Sequence, residues 1–301
     1  MRYLVLGSLN IDMTYRVEHI VNAGETISSV SVSRSAGGKG ANQAASLAKA
    51  GEDVYFVGKV GSDGSWVLDK LSSYGVNISK TIVSDTEETG TAIIQVDSRG
   101  QNSIILHAGG NKAFTFSDIE GALKDFSLAD VLVLENEINL LPEIIDMAYD
   151  KNLVIAFNPS PCSPEILSLP LSKISYFFLN EIEAETLSCL GRPLKEDCDF
   201  RTALKLLKEK YPQSTIVVTA GKKGAYLIDD SGICFAPIVD IPVKDTTGAG
   251  DTFLGYCLSS LMKGEGGQRA LERASVASAI AVSRSGAMEA IPTKSEVDNF
   301  S

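Results

Sequence analysis

Nine consecutive residues near the end of the chain, Asp245-Thr246-Thr247-Gly248-Ala249-Gly250-Asp251-Thr252-Phe253, join a glycine-rich turn to a helical pattern. Phe253, Leu254, Cys257, Leu258, Leu261 and Met262 fall on one side of that helix, which opens near Asp251. The N–H groups of Gly248, Ala249 and Gly250 then lack helical partners and converge on one spot. A helix end of this kind attracts negative charge, and a phosphoryl group in transfer spreads charge over its equatorial oxygens. A carboxylate beside such an anion hole can accept the proton of an attacking hydroxyl, which is the minimal arrangement for phosphoryl transfer. On spacing alone, a purely structural Asp251 that caps the helix is an equal reading.

A second glycine cluster, Ala36-Gly37-Gly38-Lys39-Gly40-Ala41-Asn42-Gln43, also opens a helix but lacks the Gly-x4-Gly-Lys-Ser/Thr spacing of a P-loop. Its glycines permit close approach by a small polar ligand, with Lys39 supplying a charge and Asn42 both a donor and an acceptor. Tight packing of helix on sheet is the competing explanation. Upstream, Gly7-Ser8-Leu9-Asn10-Ile11-Asp12 sets Asn10 and Asp12 just past a buried strand, where α/β sheets bind ligands. Alternation points both side chains the same way, and paired Asn and Asp suit vicinal hydroxyls.

These groups need elements to hold them. Short runs that are apolar on both faces, Tyr3 to Leu6, Val131 to Leu134, Leu153 to Phe157, Tyr176 to Leu179 and Ile216 to Val218, read as buried strands. Helical patterns fall between most of them, at Gly40 to Ala50, Leu141 to Lys151, Glu181 to Leu190, Phe200 to Tyr211 and Asp251 to Lys263. Strands alternating with helices predict an α/β fold with a largely parallel sheet. Thr14 to Arg34 and Gly90 to Leu106 break the rhythm; in the second, two β-prone runs flank the turn Asp97-Ser98-Arg99-Gly100. Together they predict a small β lid, about 12–34 and 89–107, inserted into one domain spanning 1–301, with the active site between core and lid.

Composition narrows the function classes. With 44% hydrophobic and 22% charged residues the chain is ordinary globular material. The excess of 38 acidic over 27 basic residues gives −11, which argues against nucleic acid or an anionic membrane as partner. Five cysteines without a Cys-x-x-Cys pair argue against a disulfide framework or a zinc site. No stretch is apolar enough for a signal peptide or a membrane span, so a cytoplasmic protein is expected. His19, His107 and Trp66 carry no functional assignment.

The Gly-Gly-Lys-Gly-Ala-Asn cluster, the upstream Asn10-x-Asp12 and the late Gly248-Ala249-Gly250-Asp251 together resemble, in order and separation, the two signatures of the ribokinase-like (PfkB) sugar kinases. The resemblance runs from Leu4 to Pro292, and the N-terminal motifs lie nearest the ribokinase branch. It implies a central, mostly parallel sheet sandwiched by helices, with a β lid over the sugar and Asp251 as base beside Gly248, Ala249 and Gly250. It implies that Asn10, Asp12, Gly38, Lys39, Asn42 and Glu137 hold sugar hydroxyls, while Ala92, Ile94 and Leu106 pack over the ring.

By the same resemblance, Asn180 and Glu183 belong to the magnesium and phosphate environment, although an Asn with Glu three residues on is also a helix capping box. Thr219, Gly221 and Gly224 would border the ATP phosphates, with a plain strand-connecting turn as the alternative. Ser275 stands near the position of a frequent adenine-stacking histidine. Asp245, Thr247, Ala281, Arg284 and Gly286 would form a potassium site, in which Ala290 replaces the family's usual hydroxyl residue. The implied activity is ATP-dependent phosphorylation of a primary sugar hydroxyl, with D-ribose to D-ribose 5-phosphate the best acceptor, magnesium as a second cofactor, and dimerisation through the lid. A nucleoside or modified-hexose kinase is the first alternative, and a catalytically silent sugar-binding protein the second.

Overall fold

The computed structural model describes residues 1–300. Strand β1 (Tyr3–Leu6) is buried on both faces; the chain then leaves the core through Gly7-Ser8-Leu9 and enters a separate small sheet as β2 (Asn10–Arg16). It returns on β3 (Ser31–Gly37) and runs at once into α1 (Lys39–Lys49). Next come β4 (Val54–Val57), β5 (Lys59–Gly61), α2 (Ser65–Ser73) and β6 (Ile82–Ser84), then a hairpin of β7 (Gly90–Val96) and β8 (Asn102–His107). The middle of the chain adds a helix that was not expected, α3 (Phe116–Leu123), then runs β9 (Val131–Glu135), α4 (Leu141–Asp150), β10 (Val154–Asn158), β11 (Tyr176–Leu179) and α5 (Glu181–Ser188), with no α-helix between β10 and β11. It closes with α6 (Asp197–Lys210), β12 (Thr215–Thr219), β13 (Ala225–Asp229), β14 (Gly232–Ala236), α7 (Ala249–Met262), α8 (Gly267–Val282) and α9 (Lys294–Asp298).

The eight-stranded sheet has the order β14-β13-β12-β11-β10-β9-β1-β4. It is parallel from β4 to β12, while β13 and β14 join antiparallel. Two apolar layers cover its faces. Val5, Val133 and Val217 pack with residues of α1, α2, α7 and α8, whereas Leu6, Leu134 and Val218 pack with α3 to α6. Burial on both faces is the reason these strands are apolar throughout rather than alternating.

All five strands expected from apolar runs form, within two residues of their expected ends. The antiparallel pair β13 and β14, the strand β4 and the long helix α8 carry weaker patterns and were not expected. Strand alternation fails in β14, where Ile233, Cys234 and Phe235 are all partly buried at the sheet edge.

The second sheet gathers the segments expected to form a lid. Its order is β3-β2-β7-β8, with β2 and β7 parallel, so the expected lid segments meet in one four-stranded sheet that starts at Asn10 and ends with β3 at Gly37. Register places Ala92 beside Asp12 and Leu106 beside Ala92, and Ile94 lies two residues further along the same face. The three apolar residues assigned to the sugar ring therefore share a face with Asn10 and Asp12. Leu106 is 53% exposed there.

Candidate active site

The carboxyl ends of the parallel strands meet the N-termini of α1, α5 and α7 around a cavity of about 230 Å³. Its wall includes Lys39, Asn158, Ser160, Asn180, Glu183, Thr219 and the run Gly248 to Asp251. Ligands of open α/β sheets collect at this edge because strand ends and helix N-termini both leave backbone groups free.

Gly248 adopts φ 72°, the left-handed conformation that lets the turn swing into α7, and a Cβ there would come within 3.3 Å of Ala287. Thr247 and Thr252 pin the turn from either side: Thr247 N–H and Oγ1 donate to Asp245 Oδ1, and Thr252 N–H and Oγ1 donate to the Gly248 carbonyl. The expected anion hole needs one correction. Ala249 N–H donates to the Thr246 carbonyl at 3.2 Å, because the tight turn folds it back. Gly248 and Gly250 N–H have no protein acceptor among the described residues, and both residues line the cavity.

Asp251 sits at the cavity wall, held on both oxygens. Asn42 Nδ2 donates to Oδ2 at 3.1 Å and Gln43 Nε2 donates to Oδ1 at 3.0 Å. Burial pushes the Asp251 carboxyl above its ordinary value, while Lys39 and the two amides pull it back toward the ionised form. Burial alone would lower the Lys39 ammonium, but Asp251, Glu137, Glu135 and Glu183 outweigh it and keep the ammonium charged. Lys39 Nζ lies 3.9 Å from Glu137 Oε1 and so links the cavity to the lid side of the site.

On that side, Asp12 is raised to about 7, first by burial, then by Glu137 and Glu289, with Lys39 opposing. Asn10 is buried and its Oδ1 accepts from Asn111 Nδ2 at 2.7 Å. Asn111 Oδ1 also accepts the Leu9 N–H at 3.0 Å. Glu135 is fully buried and accepts the N–H of Ser8 and of Glu137, each at 2.5 Å. Burial and then Glu137 push its carboxyl up. Asn111 and Glu135 thus orient the strand leading to Asn10 and the turn carrying Glu137. Neither was singled out from the sequence, although Glu135 ending an apolar run was a visible signal.

The glycines of the 36–43 cluster are required by the packing of the chain itself. A Cβ on Gly38 would meet Leu9 Cα at 2.7 Å, one on Gly40 would meet the Gly7 backbone at 2.7 Å, and one on Gly37 would overlap the Asp12 carboxylate. Packing is the explanation here, and it is what brings α1 against the Ser8 to Asp12 segment.

Asn180 and Glu183 make both halves of the capping box of α5 and also line the cavity. Thr219 lines the cavity as well. Gly224 has φ 104° and a Cβ there would come within 2.3 Å of the Ala236 carbonyl, which accounts for that glycine by the β12–β13 turn; Gly221, φ 50°, belongs to the same turn. Ser275 is buried on α8 and stands outside the cavity wall. Asp245 Oδ2 accepts the Gly286 N–H at 3.0 Å and Val282 O accepts from Lys244 and Asp245, which brings Asp245, Thr247 and Gly286 of the expected cation set together. Burial raises the Asp245 carboxyl, but bonds from Thr247 and Gly286 prevail and lower it. The Ala281 carbonyl accepts from Arg284 N–H, and the Arg284 side chain points away to Glu296.

The model of the pfkB family of carbohydrate kinases matches residues 2–294. The chain belongs to that family. Within it, the chain is 32% identical to the ribokinase of Bacillus subtilis over 98% of each. It is 33% identical over 99% of its own length to the bifunctional ribokinase/ribose-5-phosphate isomerase A of Fructilactobacillus sanfranciscensis, of which it spans 56%. Two solved structures superpose closely. The ribokinase of Cryptococcus neoformans var. grubii serotype A in complex with ADP has a TM-score of 0.87 and 37% identity, covering 99% of this chain and 98% of that one. The Arabidopsis thaliana ribokinase complexed with ribose and ATP has a TM-score of 0.85 and 28% identity, covering 99% of each chain. PfkB membership makes the chain a carbohydrate kinase, an activity that agrees with the phosphoryl-transfer chemistry read from Gly248 to Asp251.

Proposed function

We propose that this PfkB kinase transfers the γ-phosphoryl group of ATP to the primary hydroxyl of D-ribose, giving D-ribose 5-phosphate. The observation that carries the reading is one carboxylate, Asp251, set beside two free N–H donors and a half-buried ammonium. The hydroxyl proton passes to Asp251 as its oxygen bonds to the γ-phosphorus and the bond to the β-phosphate oxygen breaks. Gly248 and Gly250 N–H, the α7 dipole and Lys39 stabilise the charge on the phosphoryl oxygens. Asn10, Asp12, Asn42 and Glu137 hold the ring hydroxyls, and Ala92, Ile94 and Leu106 cover the ring from the lid. Ribose rather than another sugar is supported by the relatives that carry that activity.

ATP would place its phosphates along Asn180, Glu183 and Thr219, with its base toward Gly221, Gly224 and Ser275. Among the described residues no cluster of three His, Cys, Asp or Glu could hold a metal. A single carboxylate, Glu183, fits magnesium that arrives with phosphates and keeps most of its water. Asp245, Thr247 and the carbonyls of Ala281, Arg284 and Gly286 offer only oxygen, which suits potassium. Magnesium supplies charge neutralisation on the phosphates; potassium would tie the Asp245 loop to the Gly286 loop. Among the described residues no helix is long and apolar enough to cross a membrane.

The deciding experiment is turnover of purified Asp251→Asn with ribose and ATP. A folded variant should lose about 10²–10⁴-fold in kcat. Near-normal turnover would remove Asp251 from its role as base. A panel of ribose, deoxyribose, fructose and nucleosides, read with and without potassium, tests the acceptor.

A further inference from the structure

Gln43 is fully buried on α1, one residue beyond the sugar-facing Asn42, and its single Nε2 bridges two oxygens. It donates to Asp251 Oδ1 at 3.0 Å and to Asn158 Oδ1 at 3.3 Å. Asn158, at the end of β10, donates in turn through Nδ2 to the Phe178 carbonyl of β11 at 2.9 Å. A backbone carbonyl can only accept, so Asn158 must turn its NH2 toward Phe178 and its oxygen toward Gln43. That oxygen likewise can only accept, so Gln43 must present its NH2, and the same NH2 reaches Asp251. The polarity of the whole row is thus set by one carbonyl in the sheet. Reversing Gln43 would bring its oxygen against both Asn158 Oδ1 and Asp251 Oδ1. The orientation has a visible cost: Gln43 Oε1 is buried without a hydrogen-bond partner.

We propose that Gln43, oriented by Asn158 and the Phe178 carbonyl, is a positioning residue that holds Asp251 as an ionised proton acceptor aimed into the cavity. The inference rests on Asp251 being the base. Hydrogen bonds to the charged form of a carboxylate favour that form, and here they act against burial, which favours the neutral acid. The other charged groups facing Asp251 are Lys39 from α1, which also favours the carboxylate, and Glu137 beyond β9, which opposes it. Glu135 and Glu183 act on Lys39 from β9 and α5. Asn42 holds the second oxygen, so Asp251 keeps a place in the cavity when Gln43 is lost, and the proton affinity is what changes.

The test is the pH dependence of kcat/KM for the sugar in wild type and Gln43→Met, which keeps volume and removes the donor. The acid limb should move to higher pH, so that the ratio of rates at pH 6 and pH 8 falls roughly tenfold below wild type. A uniform loss at every pH, with the limb unmoved, would overturn the proposal. Asn158→Leu should move the limb the same way, and should add nothing in the Gln43→Met background; equal shifts in both backgrounds would break the link through Asn158. If Gln43→Met does not fold, Gln43→Glu carries the test, since a second carboxyl beside Asp251 should raise the limb further, and an unmoved limb would again overturn it. Retained turnover in Asp251→Asn would instead count against the base itself.

Discussion

The acidic groups of this site are tuned by burial first and by neighbours second. Asp12 shows the consequence for stability. Unfolded, it titrates near its ordinary 3.8; folded, near about 7. Between those values the folded chain keeps a proton that the unfolded chain has released, so stability falls as pH rises through that window and stays lower above it. Asp12→Asn should therefore stabilise the protein at pH 8 by roughly 1–3 kcal/mol and change little at pH 4, measured by urea unfolding at both. The same substitution should raise the sugar KM about tenfold or more, because a charged acceptor holds a hydroxyl more strongly than a neutral amide. A variant that is no more stable at pH 8 would mean that Asp12 is not held at a raised value.

Among the elements, α1 connects most of the chemistry. Lys39, Asn42 and Gln43 stand at i, i+3 and i+4, so one helical face carries the ammonium and both amides that hold Asp251. That face is aimed by glycine packing at the start of the helix. Gly40→Ala gains up to about 1 kcal/mol of helix propensity but forces a Cβ to within 2.7 Å of the Gly7 and Ser8 backbone. Backbone on both sides leaves nothing to give, so a net loss of about 1–3 kcal/mol is expected in urea unfolding, with weaker sugar binding as Ser8 to Asp12 shifts. The opposite end of α1 is fastened too, by Lys49 Nζ donating to the Met288 and Ile291 carbonyls at 2.7 and 2.9 Å.

For the whole molecule, the four-stranded sheet proposed as the lid keeps apolar side chains exposed. Ile105, at 60% exposure, shares one lid face with the exposed Val32 and Ile93, and the edge strand β8 has one neighbour only. Apolar residues on an open edge favour pairing between copies. Sedimentation should therefore give a dimer, and Ile105→Asp should shift it toward monomer without unfolding the core; a monomeric wild type would end that reading. A lid that closes on sugar also excludes water, so ATP hydrolysis without sugar should be a small fraction of the sugar-dependent rate in a coupled ADP assay. Hydrolysis at a comparable rate would show that closure does not depend on sugar.

The sequence by itself determined the elements and the local chemistry. Apolar runs and helical spacing located the central strands, and the two glycine turns located the N-termini of α1 and α7, because both signals depend on neighbours a few residues apart. The tertiary structure decided which of these groups meet. Asn42 and Asp251 are separated by 209 positions, and only the packing of α1 against α7 makes them hydrogen-bond partners. Whether a glycine serves a ligand or the chain, and whether an N–H such as that of Ala249 is free, depends on turns and close contacts that no local pattern encodes. The same holds for Gln43, whose donor direction is set by a carbonyl on β11 across the sheet. Asp251 stood out by its spacing, but its desolvation and its amide partners exist only once distant segments close around it.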